Sequence, residues 1–198
     1  MEKYGKLELT SEKVKKFYQI MQDHYHIKIK QKDDAWYMKG IGYFLEVFGD
    51  ITEKDFMENF TTTLGEWVFL NFEIGNEKQK KLVNQVSLLI HELVHVKDYR
   101  EEAIIMPILY LSQNGEKSIY EARAWSANIE FRYRANGSYK PNFDSFGEKF
   151  RKYGGNSDDK KVIAKALESD FLMIEQGIKI SPIVRHAIEV LKELGCWK

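Results

Sequence analysis

Residues 88–96 read Leu88-Leu89-Ile90-His91-Glu92-Leu93-Val94-His95-Val96. The pattern is H-E-x-x-H embedded in an apolar run, and it predicts a buried helix. Side chains four apart on a helix lie on one face, a turn above each other. His91 and His95 can therefore reach one ion. Glu92 is turned about 100° from His91 and can stand beside that ion without ligating it. Two neutral nitrogen donors next to a carboxylate that can take a proton from metal-activated water are what metal-assisted hydrolysis needs. Without such an ion, burying two histidines and a glutamate in an apolar helix would be costly.

The helix extends outward from this core. Asn76 is the expected cap of a helix over about 77–100, with Leu82, Val86, Leu89, Leu93 and Val96 facing the core. A second stripe runs Asn84, Leu88, His91, His95 and Asp98. Before it, 65–75 alternates: Val68, Leu70, Phe72 and Ile74 point one way, and Trp67, Phe69, Asn71 and Glu73 the other. That reads as a strand with one face on the core. Earlier still, Ser11 is the expected cap of a helix to about Tyr25, on the stripe Val14, Phe17, Tyr18 and Met21. Thr52 opens a short helix to Phe60. The aromatic, glycine-punctuated stretch 36–48 has no assigned element.

After the motif, 104–111 is apolar and interrupted by Pro107, and Asn114-Gly115 marks a turn. A strong helix follows over about 118–135. Residues 141–159 are polar and glycine-rich and read as a loop or cover. Helices over about 159–176 and 181–194 close the chain, the last with Pro182 in its first turn.

Two histidines do not complete a catalytic zinc site, which needs a third protein ligand. Glu121 is the leading candidate, in Tyr120-Glu121-Ala122-Arg123-Ala124-Trp125, where small Ala122 and Ala124 let a second helix approach closely. Glu101 competes. In the metzincin pattern a glycine breaks the helix between the second His and a ligand six residues on, but that position here is Asp98. On an unbroken helix Glu101 falls about 120° off the His face and roughly 9 Å along the axis. Asp23, His24, Asp33, Asp34 and His186 are further donors with no supporting spacing.

The run 88–99, then Tyr110-Leu111, then Tyr120 to Trp125, resembles the gluzincin branch of zinc metallopeptidases. It is most similar to small bacterial and phage-encoded proteins in which an H-E-L-x-H-V helix precedes an E-A-x-A-[YW] helix. The resemblance covers roughly 65–135. It implies a zincin-like α+β fold, mostly helical, with a small sheet before the active-site helix and an edge strand that pairs with extended substrate. It implies one domain over 1–198, with the metal core at about 65–135 and a helical C-terminal portion at about 159–195. It also implies Zn2+ held by His91, His95 and Glu121, with Glu92 as general base and then proton donor to the leaving amine. Tyr120, Tyr110, Arg123 and His186 are candidates for the oxyanion or substrate contact. Thermolysin-like gluzincins carry an Asp four residues after the Glu ligand, and here that position is Trp125. Asp98 or Asn128 could take over its orienting role.

Composition sets the outer bounds. The chain has 198 residues, 43% hydrophobic and 30% charged, with a formal net charge of zero. That balance suits a globular protein and gives no sign of a nucleic-acid or membrane partner. The single cysteine, Cys196, allows no intramolecular disulfide and no cysteine-rich zinc site, and reads as an inert thiol. With polar sequence at the start and no apolar core there, the expected location is the cytoplasm. Arg132, Arg134, Lys140 and the charges of 149–152 read as a solvated face, and the aromatics of 36–72 as core. The leading expectation is a zinc-dependent peptidase acting on a peptide or protein substrate. The alternative is a zincin-fold binding or structural module, of phage or mobile-element context, that does not cleave.

Overall fold

The computed structural model describes residues 7–48, 52–102, 114–152, 157–178 and 181–197. The chain is α+β and mostly helical, with one small sheet. Helix α1 is Ser11–Tyr25, strand β1 Lys28–Gln31, helix α2 Trp36–Phe48 and helix α3 Glu53–Asn59. Strands β2 (Thr62–Leu64) and β3 (Trp67–Leu70) follow, then α4 (Leu82–Glu101), which carries the H-E-x-x-H core. Helix α5 is Asn114–Ala135, α6 Phe143–Lys152, α7 Ser157–Glu175 and α8 Pro182–Glu193.

Local chemistry explains most boundaries. Thr10, not Ser11, caps α1: its side chain accepts from the Lys13 amide. Thr52 caps α3 in the same way through the Asp55 amide. Each satisfies one of the orphan donors of a first helical turn. Helix α4 starts later than Asn76 would place it. Residues between Asn76 and Lys81 form turns, and the fully buried Gln85 holds them. Its Nε2 donates to the Asn76 and Lys80 carbonyls, and its Oε1 accepts from the Gly75 amide at 2.8 Å. Gly75 itself has φ +82°, and a Cβ there would stand 2.9 Å from the Ser11 carbonyl oxygen. Only glycine fits that turn.

The sheet has the order β1-β3-β2, with β1 parallel and β2 antiparallel to β3. The expected strand is therefore shorter than 65–75, and it is central. Val68, Leu70 and, beyond the strand, Phe72 face the main core, with Val14, Phe17, Met21, Val86, Leu89, Ile90 and Leu93. Phe69 is buried on the opposite face, under Ala35, Met38 and Phe56. This second layer is why 36–48 is helical: α2 and α3 cover the outer face of the sheet. The aromatics of 36–72 are core only in part, since Trp36 is 85% and Tyr43 64% exposed.

Helices α4 and α5 pack antiparallel, as the pairing of Asn84 with Arg132 and of Asp98 with Arg123 shows. A third cluster joins α5 to the α6–α7 pair through Trp125, Ile129, Phe146, Phe150, Ile163 and Leu167. The loop expected over 141–159 is thus largely helix. Asn142 accepts from the Ser145 amide, and Phe146 and Phe150, one turn apart, bury against Trp125. Those two aromatics outweigh the polar composition. The turn expected at Asn114-Gly115 is also helical, as the start of α5, whereas 104–111 lies outside the described residues. The two ends of the described chain meet. Leu7 bridges Trp197, and the Glu8 amide donates to the Cys196 carbonyl at 2.8 Å.

Candidate metal centre

Helix α4 is buried on nearly every side around the motif, so its polar side chains need partners inside the protein. His91, Glu92 and His95 are 8%, 4% and 7% exposed. Helix α5 supplies Glu121, 3% exposed, opposite the two imidazoles. The His91 and His95 Nε2 atoms are 3.2 Å apart. The Glu121 carboxylate oxygens stand 3.7 Å from the first and 3.6 Å from the second. Bonds of 2.0–2.1 Å at tetrahedral angles would put such donors about 3.3 Å apart. The triangle is close to that spacing. Two nitrogen lone pairs converging on a carboxylate form a donor set suited to a divalent ion. Among the described residues this group has three members, His91, His95 and Glu121. Three protein donors leave one tetrahedral position for water or substrate.

Glu92 lies beside this triangle and points to the sheet. The Thr63 hydroxyl, on β2, donates to its Oε2 at 2.7 Å. Burial raises the carboxyl's pKa; His95, the Thr63 hydrogen bond and Lys32 pull it down, and Glu121 pushes it up. A buried, hydrogen-bonded carboxylate beside the donor triangle, outside the ligand set, is placed to accept a proton.

One turn after His95, Asp98 is 3% exposed. Its Oδ1 pairs with Arg123 at 3.4 Å. Its Oδ2 is buried without a hydrogen-bond partner, and so is the His95 Nδ1. An acceptor and a potential donor thus stand unsatisfied on the same helix face. Asn128 is elsewhere: it donates to the Ser87 carbonyl and accepts from Arg132. Trp125 occupies the place of the missing Asp, its ring 6.4 Å from that of His91.

The other expected residues scatter. The Tyr120 hydroxyl donates to Glu102, and Arg123, half-exposed, is held by Asp98 and Glu102. The His186 ring lies against that of His24 across α1 and α8, centroids 3.9 Å apart and planes tilted by 44°, and burial with the neighbouring His24 lowers its pKa. Neither histidine is in the donor group. Tyr110 lies outside the described residues. Glu101 pairs with Lys97 on the surface, as its off-face angle requires. Asp33 and Asp34 sit in a 3-10 turn, and Asp23 is exposed.

Sequence reasoning missed Thr63 and Lys32. Thr63 was findable: Thr61-Thr62-Thr63 before Gly65 is a β-branched run ending at a turn residue. Lys32 had no signal. The solvated face expected for Arg132 and Arg134 is also corrected. The Arg134 side chain is 9% exposed and pairs with buried Glu130 at 2.9 Å. Arg132 is half-buried and bonds Asn84, Ser87 and Asn128. Among the described residues no helix is long and apolar enough to cross a membrane. Comparisons with protein-family models, with curated proteins and with solved structures each return no match.

Proposed function

We propose that the protein is a zinc-dependent peptidase of zincin type, with His91, His95 and Glu121 as ligands and Glu92 as general base. The observation that carries this reading is the three-donor triangle with a fourth buried carboxylate beside it. When bound, such an ion polarises a carbonyl and acidifies water. The chain's own residues do the rest. Glu92 takes the proton and returns it to the leaving amine, and the Thr63 hydroxyl holds the carboxylate in place. Burial brings its basicity closer to neutral pH, where proton exchange is efficient. Strand β2 supports a peptide substrate. It pairs with β3 on one side only among the described residues, so an extended segment added to its other edge would pass near Thr63 and Glu92.

The test combines metal analysis with peptide-library cleavage. Purified protein should carry about one zinc, and Glu92→Gln should keep it while cleavage falls about 10²–10⁴-fold. Glu121→Ala should lose the metal. Equal cleavage by wild type and Glu92→Gln would remove the peptidase assignment. The low exposure of the two histidines favours a second reading, a metal-holding module that does not cleave. Stoichiometric metal with no cleavage of any library peptide would select it.

A further inference from the structure

A groove of about 790 Å3 lies at the far end of the α4–α5 pair, lined by both helix ends and the segment around Leu9. Val83, in its lining, precedes His91 by eight residues, about 12 Å of helix, so the groove is separate from the metal centre. Its volume is within the roughly 300–1,000 Å3 of small-ligand sites.

Arg132 gives this groove its chemistry. The guanidinium is fixed by three neutral acceptors: Ser87 Oγ and Asn128 Oδ1 take Nε–H, and Asn84 Oδ1 takes Nη2–H. Among the described residues no carboxylate pairs with it, and Nη1 makes no hydrogen bond to protein. Lys81 lines the same groove, with Glu77 as the acidic neighbour. A half-buried cation already oriented by neutral groups is ready for a carboxylate, which a guanidinium fork receives through two hydrogen bonds. The lining is mixed: Leu9, Leu82 and Val83 are apolar, and Asn136 and Tyr139 carry polar groups. A lining that mixes polar and apolar side chains suits a peptide, which carries amides beside its side chains, better than a plain alkyl chain.

We infer that this groove binds the free C-terminal end of an apolar peptide, its carboxylate on Arg132 and its last side chains on Leu82 and Val83. The inference does not depend on the peptidase reading. Fluorescence anisotropy tests it with a fluorescein-labelled heptapeptide ending in Ala-Leu-Leu. Binding is measured on wild type and on Glu92→Gln, so that cleavage cannot pass for weak affinity. The free acid should saturate the protein and bind at least tenfold more tightly than the same peptide amidated at its C-terminus. Arg132→Gln should weaken the acid at least tenfold. Lys81→Glu, outside the Asn84–Ser87–Asn128 network, should weaken it severalfold with an unchanged melting temperature. Equal binding of acid and amide, or no saturation at millimolar protein, overturns the inference. Decanoate competing as well as the peptide overturns it in favour of an alkyl carboxylate.

Discussion

Lys32 places an ammonium group where water barely reaches: the residue is 1% exposed. Its Nζ donates to the Phe56 carbonyl at 2.7 Å and lies 3.4 Å from the centroid of the Phe56 ring. Burial pushes its pKa down to about 7, and the charge of Glu92 opposes that fall. An unfolded chain keeps this lysine protonated up to about 10.4. Between these values the unfolded state binds more protons, so the Lys32 contribution to stability rises with pH from about 7. Below 7 both states are protonated and the full penalty applies. Lys32→Met should therefore raise the melting temperature more at pH 6 than at pH 9. An equal gain at both values would show that Lys32 titrates normally in the fold. Asp98 makes a second residue-scale prediction. If its Oδ2 receives the His95 Nδ1 proton when an ion is bound, Asp98→Asn should weaken metal affinity about 10–100-fold, read by competition with a chelator. Wild-type affinity in the variant would leave Asp98 as a partner of Arg123 only. At this scale His91, Glu92 and His95 were legible because helical spacing is a local rule, and Glu121 because small Ala122 and Ala124 beside it allow a second helix to come close. Lys32 was not, because Lys30-Gln31-Lys32-Asp33-Asp34 has the look of a solvated run and only the later arrival of α3 buries it.

Beyond its apolar face in the main core, one carboxylate ties the start of α8 to α5. Glu130, fully buried on α5, accepts from the Ser181 amide at 2.8 Å and pairs with Arg134. It therefore satisfies a first-turn donor of α8 that no side-chain cap satisfies. Glu130→Ala removes both the buried carboxylate beside Arg134 and the acceptor of the Ser181 amide, and should cost about 3–5 kcal/mol, read from denaturant unfolding. Thr52→Ala should cost about 1 kcal/mol, because it removes only the exposed cap of α3. A comparable loss for both variants would contradict the buried pairing. Elements with a strong apolar period, such as α1 and α8, could be read within a residue or two. Helices α2 and α6 could not. The first exists because the sheet has an outer face to cover, and the second because Phe146 and Phe150 have Trp125 to cover. Both causes are tertiary.

For the whole molecule, the donor triangle links two helices that also join two of the hydrophobic clusters, since α4 lies in the main core and α5 carries Trp125. An ion bound there should stabilise the native state by about 2.7 kcal/mol at a hundredfold excess over its Kd. A chelator should accordingly lower the melting temperature of loaded protein by several degrees, given about 2–4 °C per kcal/mol at this size. No change on chelation would mean that the triangle holds no ion. The α+β class and the place of the sheet ahead of α4 could be read from the sequence, but the central position of β3 required β1, a four-residue strand whose alternation is too short to mark it.

Cys196, fully buried in the main core, adjoins the Leu7–Trp197 bridge that clasps the two ends of the described chain. Because this is the only thiol in the chain, the protein carries its own reporter of opening at that clasp. Alkylation under native conditions can proceed only as fast as the clasp lets reagent in. If labelling keeps its rate when the metal centre is loaded, the ends open by themselves. If it slows, the clasp gives way only with the body of the protein.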